Sequence, residues 1–333
     1  MPADPTATSA GQAADAGPRR RPTAGAAEPT PRPLYTFWHP RYWSAWAFYL
    51  SLRLTAALPL RAALALYRWI GRILYRTSSR QRRIVQRNLE ICFPALSPEE
   101  QERLARRYFE SLGMSLAECA FAWFASDRRL AGRFTISGLE HLRRALERGK
   151  GVILYTGHFT TLEICGRPLK LATPLFACMF SHRSNDLLDE VQRRGRLREA
   201  HEAFPSDNVR AMIRSLQRNA AVWYAPDQIH REGELIPFFH ELAMTNVATS
   251  KLARLTGAVV LPFAFRRVAP EGRYELELRA PLDDFPTHDP VEDTRRLVRH
   301  LEDFIRSAPD QYQWMHRRFK DRPPPLPDLY GRD

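Results

Sequence analysis

The sequence predicts an α/β fold: a mostly parallel central sheet flanked by helices, preceded by an apolar helical anchor. Three observations carry this expectation. Short apolar runs rich in β-branched residues recur between residues 151 and 279, each the length of a buried strand. Amphipathic stretches with helical periodicity separate them, the alternation that builds parallel sheets. The chain of 333 residues is also long enough for one large domain or two smaller ones.

Taken in order, residues 1–33 are rich in Ala, Pro, Gly and Thr and enclose Arg19-Arg20-Arg21. They read as a disordered tail, with no secretory signal, because the first apolar run begins only near Tyr35. Residues 34–78 read as a membrane-anchoring helical segment. Trp43, Trp46, Phe48, Leu50, Leu52 and Leu54 crowd its first half, but Arg53 sits among them and Pro59 interrupts the run. A central arginine costs about 2.5–3.5 kcal/mol on insertion. Arg61, Arg68 and Arg72 fall within about 40° on a helical projection. The segment is therefore expected to enter the cytoplasmic leaflet and then lie along the interface, with Trp38, Trp43 and Trp46 at headgroup depth. Two ordinary core helices are the alternative.

Residues 79–333 form the expected catalytic domain. Ser79–Phe124 is helical and amphipathic, and Ser97-Pro98-Glu99-Glu100 reads as a helix start. Strands are expected near Gly151–Thr156, Pro174–Phe180, Ala220–Pro226, Val259–Arg266 and Tyr274–Arg279. Helices are expected near Leu162–Lys170, Leu187–Ala200, Val209–Gln217, Val247–Thr256 and Val291–Ser307.

Charge and cysteine content narrow the function. Lys and Arg exceed Asp and Glu by 50 to 37, a net charge of +13, which favours an anionic partner. A nucleic-acid reader would interleave exposed aromatics with Lys and Arg, whereas here the aromatics sit in apolar stretches such as Trp43–Tyr49. The four cysteines, Cys92, Cys119, Cys165 and Cys178, are dispersed without a C-x-x-C. They read as reduced core residues rather than a disulfide set or zinc site.

The first chemical signal is Gly151 to Glu163. A buried strand ends in Gly157-His158, with Glu163 five positions on. On one helix that spacing turns the two side chains about 140° apart. They meet only if His158 lies in the turn before the helix, where Gly157 supplies a permissive backbone. A His held by a carboxylate is fixed in tautomer and made more basic, and it can take a proton from a hydroxyl. No G-x-S-x-G nucleophile elbow is present. The bland reading is a helix-capping His beside a surface ion pair. A second strand, Ala221 to Tyr224, delivers Asp227 and Gln228 at its end; Asp227 can pair with an arginine, orient the site or cap a turn. A helix start near Thr245-Asn246 is either an anion site or a plain cap. Trp314 to Lys320 is a basic, aromatic cluster.

Together these motifs resemble the lipid A biosynthesis acyltransferases. The resemblance rests on His39-Pro40-Arg41-Tyr42-Trp43, Asn88 to Pro94, His158 with Glu163, Arg194-Gly195-Arg196, Val222 to Gln228 and Gln313 to Lys320. It covers roughly residue 35 to the end. It implies a glycerol-3-phosphate acyltransferase-like fold and transfer of a fatty acyl group, laurate or similar, from acyl carrier protein. The acceptor would be a hydroxyl on a 3-hydroxyacyl chain of the lipid A precursor Kdo2-lipid IVA. His158 would be the general base and Glu163 its orienting carboxylate. Arg183, Arg194, Arg196, Asp227, Gln228, Arg317 and Arg318 would contact substrates, with Lys320 beside them. No cofactor, metal or nucleic acid is expected. The partners would be acyl carrier protein, the lipid A precursor and inner-membrane lipid, with the catalytic domain on the cytoplasmic side. One departure stands out: where the family has Tyr-Arg-Pro, this chain reads Phe180-Ser181-His182-Arg183. A same-fold acyltransferase acting on a glycerophospholipid or ornithine lipid is the nearest alternative, and a non-catalytic membrane-anchoring protein a more distant one.

Overall fold

The computed structural model describes residues 32–331. The tail expected over residues 1–33 lies, except for its last two residues, outside the described residues. A 3-10 turn at Pro40–Tyr42 leads into four helices: α1 (Trp43–Ala57), α2 (Leu60–Thr77), α3 (Ser79–Cys92) and α4 (Pro98–Phe124). Pro59 separates α1 from α2, since it cannot donate within a continuous helix. The helix start read at Ser97 is a capping box. The Ser97 hydroxyl accepts from the Glu100 amide, and the Glu100 carboxylate accepts from the Ser97 amide at 2.8 Å.

Two glycines bring α2 onto α4. A Cβ on Gly71 would stand 2.2 Å from the Phe109 carbonyl oxygen, and one on Gly113 would stand 2.1 Å from that of Tyr67. The backbones therefore touch, and any side chain there would force the helices apart. The basic stripe expected on α2 stays at the surface, with Arg61 exposed, and two of its members pair with α4. Arg68 and Arg72 share Glu110 of α4, at 2.7 and 2.6 Å, while their side chains stay about half in solvent. Arg53 stacks over the Phe124 ring at 5.3 Å. Beside these arginines α1 and α2 expose large apolar side chains: Trp43, Leu50, Leu54, Leu66 and Trp69 stay in solvent. No described helix is long and apolar enough to cross a membrane.

The rest of the chain alternates. In order come α5 (Asp127–Leu130), β1 (Phe134–Ser137), α6 (Leu139–Glu147), β2 (Val152–Tyr155), α7 (Leu162–Ala172), β3 (Phe176–Phe180), α8 (Asp186–Glu199), β4 (Glu202–Pro205), α9 (Val209–Gln217) and β5 (Ala221–Tyr224). The hairpin β6 (Glu234–Phe238) and β7 (Glu241–Thr245) follows, then α10 (Ala248–Thr256), β8 (Val259–Ala269), β9 (Arg273–Leu278) and α11 (Pro290–Ser307). Seven strands form one sheet in the order β1-β9-β8-β2-β5-β3-β4. The five from β8 to β4 are parallel; β9 runs antiparallel to β8, and β1 parallels β9. The α/β expectation with a mostly parallel sheet therefore holds.

The topology positions the site. All four residues of β2 are buried, as a central parallel strand covered on both faces requires. From β2 the chain crosses to β3 and β4, then returns to insert β5 beside β2. The loops after β2 and β5 thus leave the sheet side by side at its carboxyl edge, where open α/β sheets bind ligands.

Three features gave no local signal. β1 is only half-buried, and β4 is an edge strand ending in Pro205. The β6–β7 turn is built on Phe239 at φ +55°, a conformation bulky residues seldom adopt, so no Gly or Asn announces it. The possible anion site near Thr245 is a plain cap: Asn246 Oδ1 accepts from the Ala248 amide at 2.8 Å.

Candidate active site

His158 follows β2 by three residues, and Asp227 follows β5 by three. The two meet across the gap between the strands. The His158 amide donates to Asp227 Oδ2 at 2.9 Å, and its Nδ1 lies 2.6 Å from Asp227 Oδ1. Gly157 makes this approach possible. A Cβ there would stand 2.7 Å from Leu301 Cδ1 and 3.0 Å from Asp227 Oδ2. The expected reason for Gly157 was backbone freedom, but its φ is not positive; the requirement is space.

The protonation state follows from the surroundings. Burial opposes the Asp227 carboxylate, but the His158 charge and its ring and amide hydrogen bonds outweigh burial and lower the pKa. Tyr312 adds a further hydrogen bond. Burial likewise opposes the His158 imidazolium, yet Asp227 raises its pKa above 6.5. An ionised Asp227 can only accept, so Nδ1 of His158 carries the proton. Nε2 of the neutral ring is then an unprotonated base, without a hydrogen-bond partner among the described residues. The His158 side chain is 35% exposed and that of Asp227 only 2%. The proton-accepting end opens outward while the orienting carboxylate stays dry.

Glu163 does not hold His158, contrary to the expectation from spacing. It sits in the first turn of α7 and accepts from Arg196 Nη2 at 2.5 Å and from Trp123 Nε1 at 3.0 Å. Two permanent donors on α8 and α4 claim the carboxylate, and Asp227 already takes both the amide and the ring of His158. Glu163 reaches His158 only through space, where its charge helps raise the imidazole pKa. Beside the pair lies Glu199, whose pKa burial pushes well up. It sits 3.4 Å from Arg196 Nη1.

The chain end closes the site from the other side. Phe159 and Tyr312 form an antiparallel bridge. The Gln313 amide donates to the His158 carbonyl at 2.9 Å, and the Thr160 amide to that of Gln311 at 2.7 Å. Asn88 of α3 holds this segment by donating to the carbonyls of Trp314 and His316 at 2.7 and 2.9 Å. Its own Oδ1 accepts from the Tyr330 hydroxyl at 2.6 Å. Local spacing marks neither Asn88 nor Tyr312 as a site residue.

The basic candidates separate. Arg196 is held between Glu163 and Glu199 with its side chain 12% exposed. Arg318 is buried, donating to the Met244 carbonyl at 2.7 Å and to the Thr245 hydroxyl; its role is to join β7 to the terminal segment. Arg194 pairs with Glu190 at 2.7 Å. Arg317 packs over the Tyr330 ring at 5.7 Å. Arg183 is exposed just past β3 and is steadied by Gln192 at 2.6 Å. Gln228 is exposed beside Asp227, and Lys320 is exposed near Asp321. Burial raises the pKa of all four cysteine thiols, so none is a thiolate near neutral pH. The arrangement can therefore withdraw a proton from a substrate hydroxyl, with no cysteine thiolate among the described residues to act as a nucleophile.

Comparison with known proteins gives this chemistry a setting. Residues 33–321 match the family described as bacterial lipid A biosynthesis acyltransferase. The lipid A biosynthesis lauroyltransferase of Escherichia coli (strain K12) is 36% identical over 88% of this chain and 96% of its own. The palmitoleoyltransferase of the same organism is 38% identical over the same shares. Its myristoyltransferase is 26% identical over 87% and 90%. Among solved structures, the 1-acyl-sn-glycerophosphate acyltransferase of Thermotoga maritima aligns over 75% of this chain and 96% of its own. The identity is 17% and the TM-score 0.35, and the fold assignment rests instead on the strand order above. With nearly its whole described length matched, the chain belongs to the bacterial lipid A biosynthesis acyltransferases.

Proposed function

We propose that this acyltransferase moves a fatty acyl group from acyl carrier protein to the hydroxyl of a 3-hydroxyacyl chain on Kdo2-lipid IVA, with His158 as general base and Asp227 orienting it. Acyl transfer onto a lipid A precursor is the activity of the family. The donor, the hydroxyl and the residue roles are the proposal. The observation that carries it is the 2.6 Å His158–Asp227 contact at Nδ1.

The steps balance without a covalent enzyme intermediate. Nε2 of His158 takes the proton of the acceptor hydroxyl as its oxygen attacks the thioester carbonyl. A C–O bond forms, and the carbonyl π pair moves to oxygen. Collapse restores the carbonyl and breaks the C–S bond, and the departing sulfur takes the proton back from the imidazolium. Asp227 stabilises that imidazolium throughout. Glu163 contributes charge at longer range and sets Arg196. Arg183, Gln228, Arg194, Arg317 and Lys320 are proposed to face the acceptor headgroup or the acidic carrier. Guanidinium groups suit phosphate because they bind it bidentately. Laurate or a similar chain is proposed because the lauroyltransferase relative aligns along most of the chain.

The same reading places the enzyme on the cytoplasmic face of the inner membrane. Trp43, Leu54, Leu66 and Trp69 on α1 and α2 would enter the interface, where exposed aromatic and aliphatic side chains gain most. The deciding experiment is turnover of purified His158→Ala with acyl carrier protein thioester and Kdo2-lipid IVA. A loss of about 10²–10⁴-fold is expected. Turnover within tenfold of the unaltered enzyme would remove His158 from the chemistry.

A further inference from the structure

His316 belongs to the basic, aromatic cluster near the chain end, and the reaction as described does not use it. Its ring is tied to the segment after Asp227, and its backbone to the segment that holds His158. Nε2 accepts the amide of Ile229 at 2.9 Å, two residues beyond Asp227. The His316 amide turns back onto the Gln313 carbonyl at 3.3 Å, and Gln313 in turn donates to the His158 carbonyl at 2.9 Å. The Asn88 amide holds the His316 carbonyl at 2.9 Å. The ring is thus held by one hydrogen bond, and the backbone that carries it by two more.

That geometry sets the tautomer. A ring nitrogen that accepts a backbone N–H cannot carry a proton, so in the neutral imidazole the proton is on Nδ1. The ring is neutral near pH 7. Burial, then Arg318 and His158, push its pKa down to about 4 against the pull of Asp227. The Nδ1–H has no hydrogen-bond partner among the described residues, and the ring is only part-buried. A fixed, neutral, unspent donor next to a general base matches what the reaction needs at its second oxygen. Charge develops there as the thioester carbonyl becomes an oxyanion, and preorganised donors at such a position act mainly on the transition state.

We propose that His316 is a catalytic residue whose Nδ1–H donates to the thioester oxyanion during acyl transfer. This rests on the general-base reading of His158. The atoms balance as before: the carbonyl π pair settles on oxygen, Nδ1–H hydrogen-bonds to it without giving up its proton, and collapse releases the thiol.

Two substitutions separate a donor from a strut. In His316→Gln the side-chain oxygen can still accept the Ile229 amide, but the Nδ1 donor is gone. In His316→Asn the amide nitrogen approximates the Nδ1 donor, but the Ile229 acceptor is lost. With acyl carrier protein thioester and Kdo2-lipid IVA, His316→Gln should lose about 10²–10³-fold in kcat, with KM for both substrates within a few fold. His316→Asn should keep more kcat than His316→Gln, even if its melting temperature is lower. If His316→Gln retains kcat within threefold, if its loss lies in KM, or if His316→Asn is the more damaged in kcat, the donor role is overturned. The unaltered enzyme and His158→Ala are run alongside: an active His158→Ala overturns the base reading, whereas a dead His158→Ala with a fully active His316→Gln overturns only this proposal. Should His316→Gln not fold, the comparison of His316→Asn with the unaltered enzyme decides, a 10²-fold loss of kcat in that variant counting against the donor.

Discussion

Two carboxylates stand close to His158 and differ in what they bind. Asp227 faces a ring that can gain and lose a proton, at 2.6 Å, with the other ring nitrogen toward the open side. Glu163 faces Arg196, a cation whose charge is permanent, at 2.5 Å and largely out of water. The first pair can pass a proton to or from substrate. The second cannot, and is suited to fixing α7 against α8 and setting the local field. Sequence spacing found the neighbourhood of His158, but not the carboxylate that hydrogen-bonds its ring. Asp227 lies 69 residues from His158 and arrives on the adjacent strand.

The largest effect that sharpens this contrast is expected from Asp227→Asn. The side chain keeps its size but can now present N–H to Nδ1, so the ring tends to the wrong tautomer. A kcat loss of about 10³–10⁴-fold is expected, measured at saturating substrates. A loss smaller than that of Glu163→Gln would invert the ranking of the two carboxylates.

Gly157→Ala comes next. Its added methyl would press on Asp227 Oδ2 at 3.0 Å and on Leu301 at 2.7 Å. Displacing the carboxylate by a fraction of an ångström to one ångström should cost about 10²-fold in kcat, in a protein whose circular dichroism is unchanged. Normal turnover would show that Asp227 tolerates displacement and is not the orienting group.

Glu163→Gln should cost about tenfold in kcat, near 1.4 kcal/mol, and should move the pH profile. The base works when unprotonated, so kcat/KM rises with pH through the His158 pKa, which lies above 6.5. Removing the Glu163 charge destabilises the imidazolium, so the acid limb should shift to lower pH. An unmoved limb would mean that Glu163 does not act on the ring even through space.

The smallest kinetic effect is expected from Gly166→Ala. Its Cβ would meet Glu199 Cβ at 3.0 Å, crowding the Glu163–Arg196–Glu199 cluster and leaving Asp227 alone. Overpacking of this kind costs about 1–3 kcal/mol. The melting temperature should fall while kcat stays within about threefold. A kcat loss equal to that of Gly157→Ala would mean that the two carboxylate pairs act as one unit.

Much of the fold was legible because its signals are local. Val152–Tyr155 and Ala221–Tyr224 read as buried strands, and each is one. Ser97 and Glu100 announced a capping box from four consecutive residues. β6 and β7 were not legible, because their turn relies on strained Phe239, whose amide is satisfied by distant Glu302 at 2.7 Å. The basic residues misled for a related reason. Composition reports charge but neither pairing nor burial, and it cannot tell that Arg68 and Arg72 pair with Glu110 or that Arg318 is buried against Thr245.

The sequence by itself determined the α/β alternation, the placement of His158 and Asp227 at strand ends, and the family resemblance. Each of these depends on residues a few positions apart and on hydrophobic burial. Only the tertiary structure decided that Asp227 hydrogen-bonds the ring and that Glu163 pairs with Arg196. It likewise decided that His316 reaches the site from 87 residues beyond Ile229. Those choices depend on which strand is inserted beside which and on which donors reach a carboxylate first, and the separation of the partners along the chain contains neither.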